Sequence, residues 1–191
     1  RADERYLDFI NRLQEHGYHD LMVEYVEQIR RRPSVPDDVK VLAEYYIGKG
    51  KLAGSESVAD LSKRDEQLQA ARPHFEKFIQ EQSGHERVPE AQMELAQILV
   101  ERGRVAVLQS ENPNNLSRRS DLMGQARSLL DAAKNSFAGA RDRFAAEYKK
   151  FPAFIPEDQK RQREVKSMTQ VNLMQAELHL GLVEYEVAQT Q

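Results

Sequence analysis

The sequence predicts an all-α fold, built as a stack of antiparallel helix hairpins with about seven helices, some of them elongated. Three observations lead there. Apolar residues at Leu122, Ala126, Leu129, Ala133, Phe137, Ala140, Phe144, Tyr148 and Phe151 recur at intervals of three and four, the period at which side chains return to one face of a helix. Similar stripes recur along the 191 residues, separated by glycine, proline and polar turns. No segment shows the strict alternation of a half-buried strand.

Each element follows from its own stripe and its own punctuation. The first helix runs over about 2–16, with Tyr6, Phe9, Ile10 and Leu13 on one face, and Gly17 is placed to end it in the left-handed conformation. The second covers about 18–32 and turns Leu21, Met22, Tyr25, Val26 and Ile29 inward before Pro33 and Pro36 close it. The third, about 36–53, opens on Pro36-Asp37-Asp38, where proline presets φ and the aspartates complement the helix dipole; Leu42, Tyr45 and Leu52 form its face. The polar stretch 54–63 reads as a loop with a helical end. A fourth helix carries Leu68, Ala71, Phe75, Phe78 and Ile79, and Pro73 inside it predicts a kink in preference to a fresh start near Arg72. The fifth covers about 88–109. Residues 110–120 form the most polar interval and are predicted to be an exposed loop. The long stripe then makes the sixth helix, and Pro152 and Pro156 separate it from a seventh at about 157–190. That last helix has two apolar flanks, Val171, Met174, Leu178, Leu182 and Tyr185 on one side and Leu173, Ala176, Leu180, Val183 and Val187 on the other. A helix apolar on two flanks requires cover on both.

Composition narrows the function classes. With 40% hydrophobic and 31% charged residues and a net charge of −3, the chain is predicted to be soluble, with no membrane span and no cofactor. Nucleic acid is not an expected partner, because basic residues do not outnumber their acidic neighbours on any one face. The absence of cysteine removes disulfides, thiol catalysis and thiolate metal sites. Residue 1 is Arg, which predicts that the numbering begins inside a longer precursor. His16-x2-His19-Asp20 is the sole local cluster of metal-ligand composition, and the break at Gly17 separates its imidazoles. Gly48-x-Gly50 follows no strand and so does not read as a phosphate-binding loop. Asp37-Asp38 is explained by helix capping, and no nucleophile signature is present. No metal site and no catalytic residue is therefore expected.

Internal comparison finds a recurring pattern. Leu21-x3-Tyr25-x7-Pro33, Ala71-x3-Phe75 and Ala140-x3-Phe144-x7-Pro152 share a small or aliphatic residue followed one turn later by an aromatic, and Leu95-Ala96-x2-Leu99-x3-Gly103 answers them among the first-of-pair helices. These residues resemble the tetratricopeptide repeat, whose helix pair follows a W-x2-L-G-x2-Y…A-x3-F…P pattern. The segment from Tyr6 to Pro33 is most similar to a complete unit, although it lacks the Trp and the Leu-Gly pair, and the second-helix anchors at 21, 71 and 140 depart from a 34-residue period. The resemblance implies one domain over 1–191, a right-handed superhelix with units at about 2–33, 36–82 and 88–152 and a final helix that is half of a further unit.

The resemblance also implies a non-catalytic interaction scaffold. A peptide or partner helix would lie in a groove lined by the first helix of each pair. Carried over by position, the groove residues are Leu7, Asn11 and Gln14 in the first unit and Met93, Gln97, Val100 and Glu101 in the later one. The alternative is a structural segment of a longer repeat protein, or of a homo-oligomer, in which the last helix packs on further repeats or on a second copy. An enzyme is a distant third. The likeness extends to large exported bacterial proteins of this type and implies an exported, periplasmic setting.

Overall fold

A computed structural model describes residues 2–190, with side chains from residue 4 onward, and every regular element among them is helical. The elements are α1 (Ala2–Glu15), α2 (His19–Ile29), α3 (Asp37–Val41), α4 (Ala43–Ser55), α5 (Leu61–Glu81), α6 (Val88–Glu111), a 3-10 helix (Pro113–Arg118), α7 (Arg119–Tyr148) and α8 (Lys160–Gln189). The chain divides into two compact units, residues 1–94 and 95–191, and the division falls inside α6. No helix among the described residues is long and apolar enough to cross a membrane.

In the first unit α1 packs on α2, α2 on α4 and α4 on α5. Gly17 adopts φ +74°, the left-handed cap that ends α1. Met22, Val26 and Ile29 turn inward from α2, but Leu21 is 50% exposed and Tyr25 half-buried, with the Tyr25 ring edge-on to Phe9 at 4.7 Å. Of the five residues expected inward on α2, Met22, Val26 and Ile29 are buried, while Leu21 lies outside the covered stripe. The expected third helix is two elements, because Leu42 adopts φ −84° and ψ −1° between α3 and α4.

Helix α4 is the centre of this unit. Tyr45, Tyr46, Ile47, Gly48, Gly50 and Leu52 are all buried, as befits a helix covered on more than one side. Its glycines let the neighbours approach. A Cβ on Gly48 would stand 2.9 Å from the Phe75 ring of α5, and one on Gly50 would stand 2.6 Å from Val23 Cγ2 and 3.2 Å from the His19 carbonyl oxygen of α2. Gly48-x-Gly50 is therefore a double helix crossing. Helix α5 starts where Asp60 accepts a hydrogen bond from the Lys63 N–H at 2.9 Å, and it continues through Pro73 without a fresh start, burying Leu68, Ala71, Phe75 and Phe78.

Glu44 ties three of these helices together. Its carboxylate accepts from Arg30 at 3.3 Å, from Lys77 at 2.8 Å and from His74 Nδ1 at 2.6 Å. Burial alone would push the carboxyl up, but the hydrogen bonds from Lys77 and His74 outweigh it and hold Glu44 below the usual carboxylate range.

In the second unit α7 and α8 run against each other. Leu122, Ala126, Leu130, Ala133, Phe137, Ala140 and Phe144 of α7 are buried. Leu130 takes the inward place expected for Leu129, while Tyr148 and Phe151 are half-buried. The expected loop at 110–120 is instead the end of α6, the 3-10 helix and the start of α7. Asn112 caps the 3-10 turn by accepting from the Asn114 N–H at 2.9 Å, with Pro113 in its first position. Gly103 lets α6 approach α7, since a Cβ there would lie 3.0 Å from Leu130 Cγ.

Candidate functional site

Three of the residues singled out from sequence meet in the second unit. Gln97, Val100 and Glu101 lie on successive turns of α6 and, with Arg104, form one wall of a cleft of about 90 Å³ closed by Phe137 of α7 and by His179, Leu182, Val183 and Glu186 of α8. The spacing 97, 100, 101, 104 places all four α6 residues on one face. Gln97 is exposed, Glu101 half-buried, and Val100 only 7% exposed, so Val100 is a wall of the cleft rather than a surface contact.

Arg104 organises the polar side of the cleft. Its Nη1 donates to Glu101 Oε1 at 2.6 Å, its Nε donates to Glu186 Oε1 at 3.0 Å, and its Nη2 donates to the same oxygen. The hydrogen bond to Glu186 is the main reason the guanidinium is held still more firmly in its charged form. Across the cleft the His179 ring stacks on Phe137, with centroids 5.1 Å apart and planes 7° from parallel. Burial pushes the His179 imidazole below its ordinary value and the Arg104 charge pushes it further. A neutral imidazole thus faces a fixed cation. Beyond Arg104 and Glu186 a second hollow of about 310 Å³ continues along Val107, Leu108, Leu130, Gln189 and Thr190, and is lined mostly by aliphatic carbon.

The other sequence-selected residues lie elsewhere. Leu7 and Gln14 are half-buried on α1 and Asn11 is exposed there; none of the three lines the hollow of about 630 Å³ in the first unit, which is framed by His19, Asp20, Val23 and Glu24 of α2, by Gly50, Lys51 and Gly54 of α4, and by Gln67 and Ala70 of α5. Met93 is half-buried on the part of α6 that belongs to the first unit. Arg104, Phe137, His179 and Glu186 were not selected from sequence. Arg104 could have been, since it continues the face of Gln97 and Glu101 by one turn. The other three come from helices distant in the chain, and no local signal links them to α6.

A second polar cluster occupies the first unit. The Tyr45 hydroxyl donates to Glu90 Oε2 at 3.2 Å, and the ring is flanked by Lys49 Nζ at 5.6 Å and by the Arg87 guanidinium at 5.7 Å. Lys49 pairs with Glu94 at 3.3 Å and Arg87 with Glu90 at 3.3 Å. Burial, reinforced by Glu90 and Glu94, drives the Tyr45 phenol far above its usual value, so it stays protonated and serves as an anchor. His16 and His19 flank the turn at Gly17, and no group of three His, Cys, Asp or Glu side chains suited to a metal ion occurs among the described residues.

No protein-family model matches the chain, and no curated protein is similar to it.

Proposed function

We propose that the chain is a non-catalytic protein–protein interaction scaffold of the tetratricopeptide-like kind, and that it takes a peptide or partner helix at the α6–α8 cleft. The observation that carries this reading is the convergence of Gln97, Val100 and Glu101, which the resemblance would put on a groove face, with residues of α7 and α8 around one hollow that leads into an apolar one. A site with a few fixed polar groups beside an aliphatic trough suits a side chain or helix edge of a protein partner. The charged groups of the cleft are satisfied by one another, which suits orientation better than turnover. Ala71 with Phe75 and Ala140 with Phe144 are all buried, in keeping with the close helix approach and aromatic plug of the repeat. Leu21 departs from it.

Partners captured by the 191-residue chain and mapped to peptides test the proposal. Gln97→Ala is expected to lose the bound segment while Asn11→Ala keeps it. Retention of every partner by Gln97→Ala at wild-type strength would show that the cleft is not the site.

A further inference from the structure

Helix α8 carries two apolar faces half a turn apart, and only one of them is covered. Leu173, Ala176, Leu180, Val183 and Val187 are buried or half-buried on the side where α7 packs. On the opposite side Val171 is 44% exposed, Met174 60%, Leu178 63%, Leu182 47% and Tyr185 65%. At 100° per residue the outward face from Ser167 to Gln189 contains no charged side chain, a run of roughly 33 Å at 1.5 Å per residue. A solvated helix face in a chain with 31% charged residues is ordinarily where the charges go.

Two features identify what covers this face. The intervals between its five apolar residues are three, four, four and three, so the pattern reads the same from either end. A second α8 running the opposite way, with the two-fold axis at Leu178, sets Val171 against Tyr185 and Met174 against Leu182, and leaves none of them without a counterpart. The ends of the helix are also complementary in charge. Lys160, Arg161, Arg163 and Lys166, offset by Glu164 alone, make the first turns basic, whereas the last turns carry Glu184 and Glu186, which also pair within the chain with Lys134 and Arg104. In this register Glu186 of one copy lies level with Gln170 of the other, about one turn from its Lys166, and the helix dipoles are opposed; parallel pairing brings like ends together. Gly181, one turn beyond the axis, is exposed with open space around it and lets the two backbones approach.

We propose that two copies of the chain pair antiparallel through this face of α8, with Leu178 on the two-fold axis. The pairing shares Leu182 and Glu186 with the cleft, and Gln97→Ala, which touches the cleft alone, separates the two readings by leaving the pairing unchanged. Sedimentation velocity of the whole 191-residue chain from about 1 to 200 μM is expected to show a reversible monomer–dimer equilibrium, with the dimer weakened at least about tenfold by Leu178→Glu while helix content and melting temperature of the dilute protein stay unchanged. The absence of cysteine makes cross-linking a direct test of direction. Under mild oxidation Leu178→Cys is expected to form a disulfide-linked dimer, as is the double variant Val171→Cys/Tyr185→Cys, while Val171→Cys alone does not. A chain that remains monomeric across the range, a dimer indifferent to Leu178→Glu, or efficient cross-linking of Val171→Cys alone would each overturn the proposal.

Discussion

The two units use the same raw material, amphipathic helices, and finish it differently. In the first, α4 is enclosed: Gly48 admits the Phe75 ring, Gly50 admits α2, Tyr45 is held by Glu90 at 3.2 Å, and Glu44 is clasped by Arg30, Lys77 and His74. In the second, α7 is enclosed on a stripe of alanine, leucine and phenylalanine, but α8 keeps a full apolar face in water. A stripe in the sequence therefore marks a face able to be buried. Whether it is buried depends on how many neighbours the fold brings to it.

Substitutions that break or sharpen this contrast are ordered by size. Phe75→Ala and Phe137→Ala each remove a ring no more than 2% exposed and are expected to cost about 3–5 kcal/mol in chemical denaturation, because the lost transfer energy adds to that of the cavity. Phe144→Ala, at 6% exposed, falls in the same range. A loss under about 1 kcal/mol at Phe137 would mean that the α7 stripe is not a packed core.

Next come the glycine crossings. Gly50→Ala places a methyl against a backbone carbonyl as well as Val23 and is expected to cost roughly 1–3 kcal/mol, despite the better helix propensity of alanine. Gly181→Ala, in open space, is expected to stabilise the helix by a few tenths to about 1 kcal/mol. Equal effects at the two positions would remove the distinction between an enclosed and an open helix.

Leu178→Ser marks the lower limit: in dilute protein it is expected to change folding stability by no more than about 0.5 kcal/mol, since the side chain is already in water. Leu130→Ala, on the covered face of α7, is expected to cost about 2–5 kcal/mol in the same assay.

The pH dependence separates the units as well. Glu44 is depressed in the folded chain, so its contribution is complete above the unfolded value of 4.5 and is lost as pH falls through the lower folded value. His179 is also depressed, but as a base. Between its folded value and 6.5 the unfolded chain binds the extra proton, so stability rises with pH up to about 6.5 and is level above it. Melting curves at intervals from pH 3 to pH 8 are expected to lose the lower step in Glu44→Gln and the upper one in His179→Gln. A wild-type slope near pH 6 that survives in His179→Gln would exclude this imidazole as its source.

Much of the fold was legible because it is written within one or two turns of chain. Ala126, Ala133, Phe137, Ala140 and Phe144 declare α7 by spacing alone, and Gly17 ends α1 in the left-handed conformation its position predicts. Errors came where two local answers were nearly equal. Leu129 and Leu130 differ by a 100° rotation, and only the neighbouring helix selects one of them; Leu21, expected inward together with Met22, falls just outside the covered stripe of α2. The 3-10 turn at Pro113–Arg118 is short and polar, so its pattern matches a loop's. Of the candidate site, the α6 face was readable by period. His179 and Glu186 were not, since they lie 82 residues from Gln97 and Arg104 respectively and no local rule spans that separation.

The sequence by itself determined that the chain is helical, where most helices start and stop, and that α8 has two apolar faces, because helix period, capping and proline geometry act between residues a few positions apart. The tertiary structure alone decided that Gly48 and Gly50 are crossing points, that Arg104 is held by Glu186, and that one face of α8 is covered while the other stays open. Those outcomes depend on which surfaces meet in space, and burial is a property of the meeting.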